Sequence, residues 1–245
     1  SLTSIMDLNI ATDAERQSAY FMSGGLVAAH STSRKRESIW DALERKEVYA
    51  TSGPRILLWF DAETQSQSLT MGAEANSNKS PLFTVKAAGS LKQKPGCPDY
   101  SNNGLTQERL EKICNSECYN PSNERKLITR IEVIKILPQQ YENEPVEGLI
   151  EDVWKSFPCN STSCKISFED EQFSIGQRDA IYYVRAIEEP SPTLSADPLG
   201  CEFNEMGECI KSEICRLGVH ENRDGCVAPA EHRAWSSPIY VNYSS

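Results

Sequence analysis

The chain has 245 residues, of which 39% are hydrophobic and 24% are charged, and its formal net charge is −10. A chain of this length and composition buries a sizeable core and fits one large or two modest domains. Because nucleic acids and anionic lipids are bound through lysine and arginine surfaces, the acidic balance disfavours a nucleic-acid partner. The apolar runs are short, whereas a membrane span needs about 20 apolar residues, so we expect no membrane insertion.

The amino-terminal part of the chain follows a helical pattern. Thr12 and Glu15 have the spacing of a capping box, and the Gly24-Gly25 pair supplies a stop, which predicts a short helix between them. Residues 34–46 carry apolar side chains at helical spacing and predict a second helix with one apolar face. Residues 1–10 lack an initiator methionine and the pattern of a signal peptide, which we interpret as a cut upstream.

After residue 50 the pattern changes from helices to strands. The Gly53-Pro54 pair predicts a turn, and a further short helix is expected at residues 106–113. We therefore expect a mainly β fold with an α-helical amino-terminal segment, in which an antiparallel β-sandwich-like domain carries long, disulfide-pinned loops. The predicted strands are residues 56–60, 82–88, 128–137, 165–168, 180–187 and 238–241.

For one predicted strand, the sequence pattern does not decide which face points to the core. Ile131, Val133 and Lys135 share one face of residues 131–136, and the other face carries Glu132, Ile134 and Ile136. Each face holds two apolar side chains and one charged side chain, so the alternation does not decide which one points to the core.

The nine cysteines all lie between Cys97 and Cys226, in stretches rich in proline, asparagine, serine and glycine. Such loops suit disulfides and an oxidising compartment, so the sequence predicts a periplasmic or secreted protein. A zinc site usually needs C-x2-C pairs or nearby histidines, and neither pattern occurs. An odd count leaves one thiol over, either free or paired upstream. The disulfide candidates are Cys159 with Cys164, Cys215 with Cys226, and Cys201 with Cys209, followed by Cys114 and Cys118.

The best binding candidate is the turn that contains Thr51, Ser52 and Arg55. Its backbone amides, hydroxyls and guanidinium could hold an anion such as a phosphate or a carboxylate. Alternatively, the two hydroxyls satisfy the backbone of the turn and Arg55 pairs with a nearby acid. His30 is a weaker candidate for a substrate contact, because a lone histidine is more often partly buried than functional. The sequence indicates no catalytic residue and no set of metal ligands.

Several stretches resemble the domain-of-unknown-function 3604 family, which is similar to the polymerase-and-histidinol-phosphatase (PHP-like) metal hydrolases. The longest of these stretches is residues 36–56, which includes the Thr51-Ser52-Gly53-Pro54-Arg55 turn. The resemblance covers most of the chain from Gly24 to Val241. The other matching stretches are residues 24–26, 95–98, 117–121, 130–133, 182–186 and 233–239.

The resemblance implies a divided chain. Residues 1–50 would be the helical remnant of a PHP-like barrel, and residues 51–245 would be a β-rich accessory domain. In that family the metal ligands lie in H-x-H and D-x-H motifs, and this chain contains neither. The resemblance therefore implies an accessory role in a larger hydrolase. The missing amino-terminal part would be its partner, and a divalent metal such as zinc or manganese would be held only by the full-length parent.

Two alternatives remain open from the sequence. In the first, the chain is an autonomous extracellular module that recognises carbohydrate or protein through sandwich loops. An exposed group of aromatic side chains, with Tyr100, Tyr119 and Trp154 as candidates, would favour this module, and burial of those rings would weaken it. In the second, a partner chain such as the amino-terminal half completes an enzyme.

Overall fold

The computed structural model describes residues 25–114, 118–194, 202–211 and 227–244, and most of these residues form strands. The helix expected after Thr12 lies outside the described residues. The helices are α1 (Arg36–Glu44), α2 (Ser101–Gly104), α3 (Gln107–Cys114) and α4 (Glu171–Gly176). The strands are β1 (Leu26–Ala29), β2 (Val48–Thr51), β3 (Leu57–Glu63), β4 (Ser68–Thr70), β5 (Glu74–Ser77), β6 (Leu82–Ala88), β7 (Leu91–Gln93), β8 (Pro121–Arg125), β9 (Ile128–Ile136), β10 (Ile150–Ser161), β11 (Ser163–Glu169), β12 (Ala180–Glu188), β13 (Ser191–Leu194), β14 (Glu202–Phe203), β15 (Cys209–Lys211), β16 (Val227–Ala230), β17 (Arg233–Ser236) and β18 (Ile239–Tyr243).

The chain divides into two compact units. Unit 1 takes its described residues from the ranges 92–123 and 190–231, and unit 2 takes them from 25–91, 124–189 and 232–244. Strand β2 belongs to the same sheet as β17 and β12, so the chain on both sides of residue 50 contributes to unit 2. The assignment of residues 1–50 to a barrel remains a prediction.

Unit 2 contains two sheets. In the eight-stranded sheet, β12 pairs with β9 on one side and with both β17 and β18 on the other. The sheet then extends through β9 to β10, through β17 to β2 and β1, and through β18 to β5. The second sheet has the order β11-β6-β3-β4. All of these pairings are antiparallel except that of β18 with β5, so the predicted antiparallel, mainly β fold is confirmed.

Apolar side chains from both sheets of unit 2 form one core. Strand β3 buries every second residue, as expected for a strand with one face inward. Phe83 on β6 lies at the centre of an aromatic group, with its ring 5.6 Å from Phe60, 5.1 Å from Phe168 and 4.6 Å from Tyr182. On β9 the Ile131 side belongs to the core cluster, which settles the face that the sequence left open.

The chain crosses from one sheet of unit 2 to the other at a corner between β10 and β11. Strand β10 pairs with β9 in the large sheet, whereas β11 pairs with β6 in the small one. Cys159 and Cys164 are joined by a disulfide across this corner, as the sequence predicted. The corner is tight, since Asn160 adopts a φ of 52°.

Unit 1 contains a second disulfide, between Cys97 and Cys118. Cys97 was absent from the predicted candidates because its partner is 21 residues away, and spacing alone does not fix connectivity. The predicted pairs that involve Cys201, Cys215 and Cys226 lie outside the described residues. The remaining two-stranded pairs are β7 with β8, β13 with β16, and β14 with β15.

None of the helices in the described ranges is long and apolar enough to cross a membrane.

Candidate functional site

The turn singled out from the sequence connects β2 to β3. Gly53 has a φ of 119°, a conformation that glycine adopts without a steric penalty, and Pro54 follows it. Thr51 is buried, and its Oγ1 accepts a hydrogen bond of 3.3 Å from the Gly53 N–H. The threonine hydroxyl therefore contacts the backbone of its own turn.

The Ser52 side chain is held instead by the beginning of β17. Its Oγ accepts a 2.9 Å hydrogen bond from the Arg233 N–H, and the Ser52 N–H donates to the Arg233 carbonyl oxygen at 3.0 Å. The same Oγ lies 3.1 Å from Nδ1 of His232. A hydroxyl and an imidazole that are 180 positions apart in sequence thus form a hydrogen-bonded pair.

His232 is half-buried beside a basic group. Burial is the main cause that lowers the pKa of His232, the ammonium of Lys126 lowers it further, and the contact with Ser52 opposes both. The His232 carbonyl oxygen also accepts a 2.9 Å hydrogen bond from the Glu188 N–H, which ties the backbone of His232 to the end of β12.

Glu188 is fully buried, and its carboxylate accepts hydrogen bonds from the Ser90 N–H and, at 3.0 Å, from the Ser90 hydroxyl. The Lys126 Nζ lies 3.9 Å from Glu188 Oε2 and balances its charge. Since a buried carboxylate is costly unless it is paired and hydrogen-bonded, these contacts are what make its burial tolerable. The cluster of Ser52, His232, Glu188, Ser90 and Lys126 joins five separate stretches of unit 2.

His30, another predicted site residue, makes its described contacts with other residues of unit 2. His30 follows β1, and its Nε2 lies 2.9 Å from the Leu58 carbonyl oxygen. Its ring is partly buried against Tyr49 and Trp59, at 5.4 and 5.9 Å between ring centroids. Arg55 is exposed. Thr51 and Ser52 are neighbours in the turn, but their hydroxyls bind different groups, and the His30 imidazole contacts Leu58.

The Ser52–His232 pair has the components of an activated hydroxyl, since an imidazole within hydrogen-bond reach can accept the proton of a serine. The Ser52 oxygen is also engaged by the Arg233 N–H and lies 3.4 Å from the Arg233 carbonyl oxygen, contacts that fix strand β17. In the described ranges, no group of three or more histidine, cysteine, aspartate or glutamate side chains is arranged to hold a metal ion. The geometry supports a structural junction.

A second buried polar cluster lies inside unit 2. Lys135 Nζ lies 2.7 Å from Asp170 Oδ2, and the Tyr182 hydroxyl donates to the same oxygen at 2.6 Å. Burial, followed by the hydrogen bond to Asp170 and the negative charge of that residue, raises the pKa of Tyr182 far above its ordinary value, so the hydroxyl remains a donor. The signal for this cluster was a lysine on the face of β9 that also carries Ile131 and Val133. No local sequence pattern predicted the pairing of Ser52 with His232.

We predict that acid weakens the fold through His232. Because its pKa is lower in the folded chain, the unfolded chain takes up a proton first as the pH falls below about 6.5, and this protonation favours unfolding. The contribution of His232 to the free energy of unfolding is therefore fully present above that pH. It declines as the pH falls toward the lower pKa that His232 has in the folded state. His232→Asn should flatten the fall in Tm between pH 7.5 and 5.5, measured by circular dichroism. An identical pH slope in variant and parent would contradict the prediction.

Comparison with known proteins adds one match. Residues 3–96 match a family described as "Protein of unknown function (DUF3604)". The matched range includes β1, α1 and the turn that carries Thr51, Ser52 and Arg55. No curated protein and no solved structure matches the chain.

Proposed function

We propose that this chain is the carboxy-terminal accessory domain of a secreted or periplasmic, PHP-like, metal-dependent hydrolase that acts on phosphoesters. In this proposal the catalytic divalent metal, such as zinc or manganese, is bound by the amino-terminal part of the same protein. The sandwich of unit 2 supports that part and shapes the entrance to its active site.

The observation that carries the proposal is the use of imidazole and hydroxyl groups to hold strands together. His30 contacts the carbonyl oxygen of Leu58, and His232 contacts Ser52, which in turn holds Arg233. A hydrolytic metal site needs several imidazole and carboxylate ligands that converge on one ion and activate a water molecule. The match of residues 3–96 supports the family resemblance from which the proposal starts, and the two disulfides support an oxidising compartment.

The alternative function is an autonomous binding module for carbohydrate or protein. Tyr100 and Tyr119 favour it, because both side chains are exposed in unit 1. Trp154 does not, because its ring is partly buried in unit 2 against Phe168 and Tyr182, at 6.1 and 5.9 Å between centroids. The support for a binding surface thus reduces to two tyrosines.

The accessory-domain proposal predicts that the 245-residue chain has no hydrolytic activity of its own. After dialysis against manganese or zinc, the chain should retain less than stoichiometric metal by inductively coupled plasma mass spectrometry. It should also hydrolyse bis(p-nitrophenyl) phosphate no faster than buffer, whereas the full-length parent should do so with metal. The proposal fails if the chain alone holds one metal ion per molecule and turns over this substrate. His30→Gln combined with His232→Gln is the matched control, since loss of any such metal would identify these imidazoles as ligands.

A further inference from the structure

We propose that Lys135 and Asp170 are the precursors of an intramolecular amide bond, which would link Lys135 Nζ to Asp170 Cγ inside unit 2. This modification is independent of the proposed accessory role, because it concerns the chemistry of the sandwich itself.

The two reacting groups are buried and already in contact. Lys135 is 6% exposed and Asp170 is 1% exposed, and their closest nitrogen and oxygen atoms are 2.7 Å apart. The ring centroid of Trp154 lies 5.2 Å from Lys135 Nζ, so an aromatic side chain forms part of the surroundings. Burial excludes water, which would otherwise compete with amide formation.

Asp170 is fixed from several directions. Its Oδ1 caps helix α4 by accepting a 3.1 Å hydrogen bond from the Gln172 N–H, and its carbonyl oxygen accepts one of 2.6 Å from the Ser80 hydroxyl. The Tyr182 hydroxyl donates to Oδ2, the oxygen that would leave. A carboxyl group held in this way presents its carbon to a neighbouring amine without a further entropic cost of orientation.

The sheet register supplies a group that can move protons. Lys135 on β9 lies directly opposite Glu151 on β10 and directly opposite Tyr182 on β12. Directly opposite residues share one face of a sheet, with Cβ atoms about 5 Å apart. In the sheet register, Lys135 therefore lies between a glutamate and a tyrosine, and its ammonium contacts Asp170.

The reaction balances without any added reagent. Glu151 takes one proton from the Lys135 ammonium, and the nitrogen lone pair forms a bond to Asp170 Cγ. The Cγ–Oδ2 bond then breaks, with the Tyr182 hydroxyl stabilising the charge on that oxygen. Oδ2 leaves as water with two protons that came from the lysine, one of them returned by Glu151. No group is oxidised or reduced, and the ammonium and carboxylate charges disappear together.

Intact mass spectrometry of the reduced and alkylated full chain tests the proposal. We expect the parental chain to be lighter by one water molecule than the mass calculated for its reduced and alkylated sequence. A protease digest should contain a single branched peptide that joins the segments around Lys135 and Asp170. The full sequence mass after prolonged incubation at neutral pH would overturn the proposal.

Two variants separate the amide from other dehydrations. Lys135→Arg keeps a cation beside Asp170 but provides no amine, so it should have its full sequence mass. A water loss that persists in this variant would show dehydration of another kind, such as a succinimide, and would refute the amide. Glu151→Gln changes an exposed side chain and should leave the fold intact while slowing amide formation at least about tenfold. Amide formation at the parental rate in Glu151→Gln would refute the assigned proton transfer.

Discussion

Phe83→Ala is expected to lower the free energy of unfolding of unit 2 by about 4 kcal/mol, the usual cost of removing a fully buried aromatic ring. Phe83 has no exposed surface, and its ring contacts those of Phe60, Phe168 and Tyr182. The alanine side chain would leave a cavity between the two sheets. Urea unfolding, followed by near-ultraviolet circular dichroism, measures the loss.

Leu82→Ala is the matched control, because Leu82 is adjacent on β6 and 38% exposed. Its side chain lies on the opposite face of the strand, so we expect a loss below about 1 kcal/mol. Equal losses for Phe83→Ala and Leu82→Ala would mean that the aromatic group does not form the centre of the core.

Glu188→Ala is expected to destabilise unit 2 by about 3 kcal/mol. The substitution leaves the buried Ser90 N–H without its carboxylate acceptor and removes the negative charge beside Lys126. Urea unfolding at neutral pH provides the measurement.

The control for this second prediction is Glu63→Ala, which removes an exposed carboxylate at the end of β3. A surface change of this kind should alter the free energy of unfolding by no more than about 0.5 kcal/mol. If Glu188→Ala proved as mild as Glu63→Ala, the buried carboxylate would not hold the junction of Ser90 and Lys126.

Local patterns predicted the elements of the fold well. The bounds of β6 agree with the prediction of residues 82–88, and the helix expected at residues 34–46 occurs as α1. The apolar face predicted for this helix is only partly buried, because Ala42 is buried whereas Ile39 and Leu43 are 39% and 45% exposed. Helical spacing shows which residues share a face, but not whether a neighbouring element covers it.

The contacts that assemble the candidate site could not be predicted from the sequence. Thr51 and Ser52 were chosen because their turn has a local signature, and Thr51 does contact that turn. The partner of Ser52 comes from a strand far along the chain, and only the sheet order brings His232 beside it. Lys135 illustrates the same limit, since the two faces of β9 had equal apolar content and only the packing of the second sheet selected one.

The arrangement of β17 and β18 constrains the order in which the protein can fold. Both strands come late in the chain, yet β18 lies between β12 and β5, and β17 lies between β12 and β2. During synthesis, β2 and β5 therefore emerge long before the strands that connect them to the centre of their sheet. Contacts between such distant segments slow folding and prolong the exposure of unpaired strand edges. The nascent polypeptide should consequently expose the edges of β2 and β5 until β17 and β18 have left the ribosome.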